Sequence, residues 1–269
     1  MRKGNCRFLM KGVTSLREVY ITLNSFNQEQ LKQKGQQSFI ESVQESGAEG
    51  IEFRRELLRS QRDFMQISQV MKGTTLKAAY SAPVPIWNKE AQLNRQKLQE
   101  VLQEASLIDA ELVKFPLGHF DEQNSSMEEL AFFLRDVSKS ISLMVENDQT
   151  FYGGNIKTMK RFGEKCEKYQ IDIPFVFDSG NWHYVNESFQ SALQEIGRFV
   201  GYLHLKQVVK NDGLCTTIAL IDEEKAEWKQ AINQIRNVPV AIEFPLESNK
   251  KAKHYVELIR KNCQEEVNL

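Results

Sequence analysis

The stretch from Pro174 to His183 reads PFVFDSGNWH, an apolar run that ends abruptly in an aspartate, a glycine and a group of polar and aromatic residues. Apolar, β-rich runs bounded by such a break are typical of a buried strand that leads into a loop. A carboxylate at the end of a buried strand is costly unless its charge is compensated, and a metal ion is one way to compensate it. Asp178 therefore raises the question of whether other strands of the chain end in the same way.

Short β-rich runs alternate with longer amphipathic runs from Val19 onward. Eight strands are predicted, at Val19–Asn24, Gly50–Arg55, Thr75–Ser81, Leu112–Pro116, Leu143–Asn147, Phe175–Asp178, Gly201–Lys206 and Val238–Phe244. Eight helices are predicted from apolar residues at three- and four-residue spacing, at Ser38–Ser46, Gln61–Met71, Ala91–Ile108, Met127–Ser140, Ile156–Tyr169, Phe189–Phe199, Glu223–Ile235 and Ala252–Asn262.

The alternation of strand and helix implies right-handed crossovers and a parallel sheet. Eight such units in 269 residues fit an α/β fold of the closed (β/α)8 TIM barrel type. No linker or composition shift marks a second domain, so a single barrel domain over residues 1–269 is expected. A doubly wound open sheet is the alternative, because a sequence pattern does not show whether a sheet closes.

The composition is that of a globular protein, with 41% hydrophobic and 26% charged residues. A net charge of -1 gives no overall field that would attract nucleic acid or an anionic membrane, so neither is expected as a partner. The cysteines Cys6, Cys166, Cys215 and Cys263 have no paired spacing, which argues against disulfides and a thiolate zinc site and favours a reducing cytoplasm. The apolar patch after the basic N-terminus is too short for a signal peptide, and no stretch has membrane-spanning length.

Four consecutive predicted strands each place one metal-competent side chain near the carboxyl end of an apolar run. These side chains are Glu146 on the fifth strand, Asp178 on the sixth, His204 on the seventh and Glu243 on the eighth. Because neighbours along a strand point to opposite faces, their apolar flanks would face the helices and these four would point into the barrel. The flanking residues expected to point outward are Val145, Phe177, Leu203, Leu205, Ile242 and Phe244.

Three carboxylates and one imidazole that converge on one spot would repel each other without a compensating cation. A mixed set of oxygen and nitrogen ligands suits one divalent metal ion, manganese, magnesium, cobalt or zinc. Any one of these residues alone would more often be a loop hydrogen-bonder or a satisfied core group. Four such side chains on the inward faces of four successive strands favour a shared metal site.

This Glu, Asp, His, Glu series resembles that of the xylose isomerase-like TIM barrels, the sugar phosphate isomerase/epimerase family. That family includes tagatose and psicose 3-epimerases, hydroxypyruvate isomerases and endonuclease IV, and the resemblance covers nearly the whole chain. It implies that Glu146, Asp178, His204 and Glu243 are metal ligands and that Glu146 and Glu243 are also the catalytic acid/base pair. It further implies a sugar or related polyol as substrate, and a possible homodimer.

The chain departs from the family at three positions near the site. Asn181 stands where epimerases usually place a histidine, three residues after the strand-six aspartate. Gln207 follows His204-Leu205-Lys206 where the family often has aspartate, and Lys210 replaces the arginine of ketohexose epimerases. These changes leave the ligand series intact and concern the substrate, so Asn181 and Lys210 are candidate substrate-binding residues.

The chemistry expected of such a site is proton transfer at a carbon next to a carbonyl. A divalent metal stabilises the enediolate that forms, and two groups on opposite faces of the substrate move the proton. The sequence therefore predicts a keto-aldo isomerase or 3-epimerase of a sugar, a sugar phosphate or a related polyol.

Four further residues are candidate substrate contacts. Glu52 on the second strand either contacts substrate or forms an internal ion pair with Lys77 or Lys114. Trp87 lies in a long loop and either stacks on a sugar ring or packs in the structure. His119 and Lys206 either bind substrate oxygens or are ordinary surface groups.

Three other functions use related barrels. A dehydratase or lyase of a cyclic polyol, of the inosose or dehydroshikimate type, would use the same metal and the same first deprotonation. Endonuclease IV-like DNA repair uses a three-metal cluster with several histidines. This chain has four histidines in all and only one of them in the ligand series, which argues against this function. A non-catalytic sugar-binding barrel would keep the fold without the chemistry, which the retained pair Glu146 and Glu243 argues against.

Overall fold

The computed structural model describes residues 17–264 of the chain, and side chains as far as Cys263. The basic N-terminal stretch and Cys6 lie outside these described residues. Within them, no helix is both long enough and apolar enough to cross a membrane.

Ten strands are present in the described part of the chain, and eight of them are parallel and close into a barrel. The strands are β1 Val19–Thr22, β2 Gly50–Arg54, β3 Lys77–Ser81, β4 Ala110–Pro116, β5 Ser142–Glu146, β6 Phe175–Asp178, β7 Val200–Leu205, β8 Gln207–Asn211, β9 Leu214–Ile218 and β10 Val240–Ile242. The order around the barrel is β1-β10-β7-β6-β5-β4-β3-β2, and β8 and β9 form a separate antiparallel hairpin after β7. The closed ring excludes the open doubly wound sheet.

Helices follow the barrel strands and cover the outside of the sheet. They are α1 Gln28–Lys34, α2 Ile40–Glu45, α3 Gln61–Met71, α4 Arg95–Leu107, α5 Met127–Arg135, α6 Ile156–Tyr169, α7 Asn181–Tyr184, α8 Phe189–Ile196, α9 Glu227–Gln234 and α10 Lys251–Gln264. Short 3-10 turns lie at Leu23–Ser25, Gln36–Phe39, Arg55–Leu57 and Gly197–Phe199.

Helix α6 illustrates how the sequence sets these elements. The side chain of Asn155 accepts a hydrogen bond from the backbone N–H of Thr158 and so caps the first turn. Met159, Phe162 and Cys166 recur at three- and four-residue spacing and are buried against the sheet. Both ends of α6 match the predicted ends, as do both ends of α3.

The hairpin and α1 are elements that periodicity did not reveal, although their local signals are present. Asp212 and Gly213 both have positive φ at the tip of the hairpin, the requirement of a tight two-residue turn. Asn27 caps α1 through the N–H of Gln30, and Gly35 has positive φ directly after the helix. Both elements are short and largely exposed, so they lack the periodic apolar residues from which a helix or strand is predicted.

The barrel interior is divided into two layers. The lower layer is an apolar cluster of side chains that fills the barrel, formed by Tyr20, Ala79, Met144, Val176, Tyr202 and Ala241. The upper layer lies at the carboxyl ends of the strands and is polar and charged, formed by Glu52, Lys114, Glu146, Asp178, His204, Lys206 and Glu243. The six flanking residues that were expected to point outward do so, and they belong to the large core between sheet and helices, which contains Val145, Phe177, Leu203, Leu205, Ile242 and Phe244.

Candidate metal centre

Four side chains from four adjacent strands converge in the upper layer. Glu146, Asp178, His204 and Glu243 each offer one ligand atom, and these atoms all lie within 4.8 Å of one another. Glu146 ends β5, Asp178 ends β6, His204 lies in β7, and Glu243 follows β10 directly. The alternation of inward and outward residues therefore brings together the four residues that the sequence predicts.

The imidazole of His204 is oriented by carboxylates on both sides. Its Nδ1 lies 2.7 Å from Oε2 of Glu243, and its Nε2 lies 3.0 Å from Oε2 of the fully buried Glu52. A carboxylate behind a ligating histidine is a common arrangement in metal sites, because it fixes the ring and strengthens the free nitrogen as a ligand. Glu52 is thus placed to orient His204 from the side away from Glu243.

Two buried lysines and an arginine share the carboxylates of the upper layer. Nζ of Lys114 lies 2.8 Å from Glu146 and 3.2 Å from Glu52. Nζ of Lys206 lies 2.6 Å from Asp178 and 3.4 Å from Glu243, and Arg54 lies 3.4 Å from Glu243. Four carboxylates therefore face three permanent cations and one histidine, and Arg54 also pairs with Glu56 at 2.8 Å. The permanent cations thus do not offset all the carboxylates when His204 is neutral.

These neighbours shift the ionisation of His204 and Glu243. Burial and Lys114 lower the pKa of His204, but the carboxylates of Glu52 and Glu243 outweigh them and raise that pKa to about 9. Burial disfavours the Glu243 carboxylate, but Lys206, Lys114 and His204 hold its pKa well below its usual range. Metal ligation requires a neutral imidazole, so a cation that binds here would displace a proton from His204.

Asp178 and Lys206 form a buried pair in which two effects oppose each other. Burial raises the pKa of Asp178 to about 7, against the opposing effect of Lys206. Burial also disfavours the Lys206 ammonium, but Asp178 and Glu243 outweigh it and raise the pKa of Lys206. Oδ1 of Asp178 accepts backbone N–H groups of Gly180 at 2.9 Å and Asn181 at 3.1 Å, a geometry that favours the ionised carboxylate.

The donor set fits a divalent cation. Three carboxylates and one imidazole from rigid strand ends surround a single point, and His204 has a carboxylate behind it. Glu146, Asp178, His204 and Glu243 could therefore hold one metal ion, with Lys114 and Lys206 beside it.

A cleft of about 400 Å³ opens beside this cluster on the side of β2 to β5. Glu146 is the ligand residue that borders it, and its side chain is 14% exposed. His119 also lines the cleft, and the centroid of its ring lies 3.8 Å from that of Tyr152. Gly118 has positive φ there, and a Cβ at this position would clash with the backbone of Trp87. The other cleft residues include Arg54, Ser81, Pro116, Asp148 and Thr150.

Of the other predicted site residues, two lie in the charged cluster, one borders the cleft and one is buried in the core. Glu52 and Lys206 belong to the cluster, where Glu52 forms the ion pair with Lys114, while Lys77 pairs with Glu18. His119 borders the cleft, but Trp87 is fully buried and packs against Phe120.

Asn181 and Lys210, two of the positions that depart from the family, are also separated by the structure. Asn181 is buried, donates to the carbonyl of Asn147 and accepts from Lys206. Lys210 is exposed on the hairpin, where its Nζ donates to Asn186. The fold brings Asn181 to the cluster and leaves Lys210 outside it.

Lys114, Arg54 and Asp148 are site residues that the sequence analysis did not predict. Lys114 and Arg54 point inward by the same two-residue alternation that places Glu146, so the signal was present, although Lys114 was considered only as an ion-pair partner for Glu52. Asp148 lies two residues beyond Glu146 and reaches the cleft through the loop, which a strand pattern does not describe.

No protein-family model matches the sequence, and no curated protein matches it significantly. Solved structures with the same fold include a xylose isomerase domain containing protein from Salmonella typhimurium LT2, with 11% identity, a TM-score of 0.68, and 93% of this chain and 98% of that one covered.

Endonuclease IV from Thermus thermophilus matches with 15% identity, a TM-score of 0.63, and 93% and 99% coverage. D-allulose 3-epimerase from a Methylomonas species, in complex with D-allulose, matches with 14% identity, a TM-score of 0.65, and 92% and 98% coverage. These neighbours include a nuclease and a sugar epimerase, so the fold they share does not by itself select a reaction. The chain has the fold of the xylose isomerase-like TIM barrels, as the Glu, Asp, His, Glu series predicts.

Proposed function

We propose that this protein is a divalent-metal-dependent isomerase or 3-epimerase of a sugar, a sugar phosphate or a related polyol. The observation that supports the proposal is the convergence of Glu146, Asp178, His204 and Glu243 within 4.8 Å beside an open cleft. The metal, when bound, would supply Lewis-acid stabilisation of the negative charge that develops on the substrate oxygens. Manganese, magnesium, cobalt and zinc all suit this donor set.

Glu146 is the base in this proposal. It borders the cleft, and among the residues that the structure describes Lys114 is its closest charged partner, at 2.8 Å. A partly exposed carboxylate that borders the cleft can take a proton from a carbon next to a carbonyl and return it.

Glu243 is the second member of the pair and is held more firmly. Asn24, Arg54, His204 and Lys206 all contact it, and its strand is separated from that of Glu146 by β6 and β7. In this proposal the substrate lies between the two carboxylates, so that proton transfer can occur on its opposite faces, as epimerisation requires. Arg54, Ser81 and His119 line the cleft, and in this proposal they bind the substrate hydroxyls.

Solvent deuterium exchange tests the proposal directly. The protein, loaded with manganese or zinc, is incubated in deuterium oxide with a panel of ketoses, aldoses and their phosphates. We expect exchange at the carbon next to the carbonyl, and an isomerised or epimerised product by nuclear magnetic resonance. Glu146→Gln should reduce the exchange rate by about a hundredfold or more, because general base catalysis typically contributes 10²–10⁴-fold.

Lys160→Met is a suitable control, since Lys160 lies on the exposed face of α6 and pairs with Glu195. If Glu146→Gln and Glu243→Gln fold, bind metal and keep full turnover on an identified substrate, the assignment of these two residues is wrong. If the protein binds manganese but exchanges no proton in any member of the panel, a non-catalytic sugar-binding barrel becomes the better description.

A metal-dependent dehydratase of a cyclic polyol is the second candidate, and Asp148 favours it. This carboxyl lines the cleft two residues beyond Glu146. Burial raises its pKa, against hydrogen bonds from Thr150, and Glu146 raises it further. The raised pKa favours the protonated form, and a carboxyl beside the base that carries a proton could donate it to a leaving hydroxyl, a step that an isomerase does not need. An enone product that absorbs in the ultraviolet, formed with loss of water and abolished in Asp148→Asn, would identify this reaction.

A further inference from the structure

Lys206 lies between two of the four ligand residues of the candidate metal centre. Its Nζ is 2.6 Å from Oδ2 of Asp178 and 3.4 Å from Oε2 of Glu243. The side chain is only 7% exposed, so water does not compete for the ammonium. Lys206 thus neutralises part of the charge that a metal would neutralise.

A divalent ion and this ammonium require the same oxygen atoms. Carboxylate oxygens bind manganese, magnesium or zinc at roughly 2.0–2.2 Å, and they use the lone pairs that now face Lys206. Two cations that close to one oxygen repel each other strongly in a buried site. Building on the metal site of the proposed function, we propose that Lys206 is a tethered cation that competes with the metal for Asp178 and Glu243 and is displaced when the metal binds.

Asn181 offers the displaced ammonium another acceptor. Its Oδ1 lies 3.2 Å from Nζ of Lys206 and is not one of the metal-ligating atoms. Its orientation is fixed, because its Nδ2 donates to the carbonyl of Asn147 at 2.8 Å. Gln149 donates to the same Oδ1 at 2.9 Å. Asn181, which stands where a histidine is expected, therefore provides a neutral acceptor for Lys206.

Lys114 is the natural comparison within the same cluster. It carries the same charge and contacts Glu146, but it also lies 3.2 Å from Glu52, which is not among the four ligand residues. Lys114 can remain paired with Glu52 when Glu146 turns to a metal. Removal of either lysine changes the charge of the upper layer by the same amount, so a difference between them reports direct competition.

Calorimetric titration with manganese chloride alone tests this competition without any substrate. Lys206→Met should bind Mn²⁺ about tenfold tighter than the unchanged protein or better, because the competing ammonium is gone. Lys114→Met should show a distinctly smaller gain. Asn181→Leu, which is similar in size but lacks the acceptor, should bind Mn²⁺ about threefold to tenfold more weakly. Without metal, Lys206 in this variant still contacts Asp178 and Glu243, whereas the ammonium displaced by a metal would lose these two carboxylates as well as Asn181. Circular dichroism checks that each variant is folded.

The outcomes separate the competition from the proposed function. If folded Lys206→Met binds Mn²⁺ no tighter than the unchanged protein, or no tighter than Lys114→Met, Lys206 does not compete and the metal site still stands. If Lys206→Met does not fold without metal, unchanged affinity in Asn181→Leu overturns the competition instead. If neither the unchanged protein nor any variant binds Mn²⁺, Mg²⁺, Co²⁺ or Zn²⁺ in the same titration, both the competition and the metal-dependent function are wrong.

Discussion

The two layers of the barrel interior are built from the same eight strands and differ in almost every physical property. In the lower layer, apolar and aromatic side chains fill the barrel, and the rings of Tyr20 and Tyr202 meet edge to face at 5.5 Å. In the upper layer, carboxylates and cations contact each other at 2.6–3.4 Å in a site that is largely buried. The lower layer stabilises the fold by burying apolar surface. The upper layer buries charged groups, which is costly unless each charge is paired.

This contrast shows that the charges of the upper layer depend on one another, so that its residues form a charge-balanced set. Each charge there is tolerated because its partners are present, since an isolated buried ion costs several kcal/mol. A substitution in the lower layer should therefore affect stability alone. A substitution in the upper layer should affect stability only when it leaves a partner uncompensated.

Glu52→Leu should have the largest effect on stability. Glu52 is fully buried and contacts both Lys114 and His204. Its replacement by leucine removes a negatively charged partner from each of these two buried groups. We expect the free energy of unfolding to fall by about 3–5 kcal/mol, the usual cost of removing one partner of a buried pair. Urea unfolding followed by circular dichroism measures it.

Glu52→Gln is the matched variant for this test. It keeps the shape and a hydrogen-bond acceptor but removes the charge, so its loss should be smaller than that of the leucine variant. If the leucine variant is as stable as the unchanged protein, the upper layer is not a balanced set, and the contrast between the two layers fails.

Met144→Ala tests the lower layer and should have the next largest effect. Met144 is buried within the apolar cluster, and truncation leaves a cavity that its neighbours only partly fill. The free energy of unfolding should fall by about 2–4 kcal/mol. Manganese affinity, measured on the folded fraction, should not change, because Met144 packs in the lower layer and supplies no ligand atom to the upper one.

Met144→Leu conserves volume and should cost less than about 1.5 kcal/mol, which separates cavity formation from loss of methionine itself. A clear change of manganese affinity in Met144→Ala would show that the two layers are mechanically coupled. That result would contradict the division between them.

The sequence predicted the parts of this molecule that follow from periodicity. The alternation of strands and helices predicted the barrel, and the inward alternation on strands five to eight predicted that Glu146, Asp178, His204 and Glu243 converge. The same alternation applies to Lys114, but a lysine within a strand has no distinctive signature until its partners are known. The contacts of Lys206 with both Asp178 and Asn181 depend on a loop conformation after β6 that no period describes.

Outside both layers lies a titratable pair that is only partly buried, His183 on α7 and Glu227 on α9. Nε2 of His183 lies 2.6 Å from Oε2 of Glu227. The hydrogen bond with Glu227 raises the pKa of His183 above its ordinary value of 6.5, against the opposing effect of burial. The pair therefore stabilises the protein fully below pH 6.5, and this contribution is lost as the pH rises through the raised pKa of the folded state.

His183→Gln should accordingly have the smallest effect. Both side chains are about a third exposed, so solvent screening limits the contribution of the pair to under about 1 kcal/mol. The melting temperature of His183→Gln should lie below that of the unchanged protein at about pH 6, and the two should converge at about pH 9. Glu227→Gln should follow the same pH profile, because it removes the other half of the same pair. A difference in melting temperature that is equal at both pH values would mean that His183 acts through packing and not through its charge.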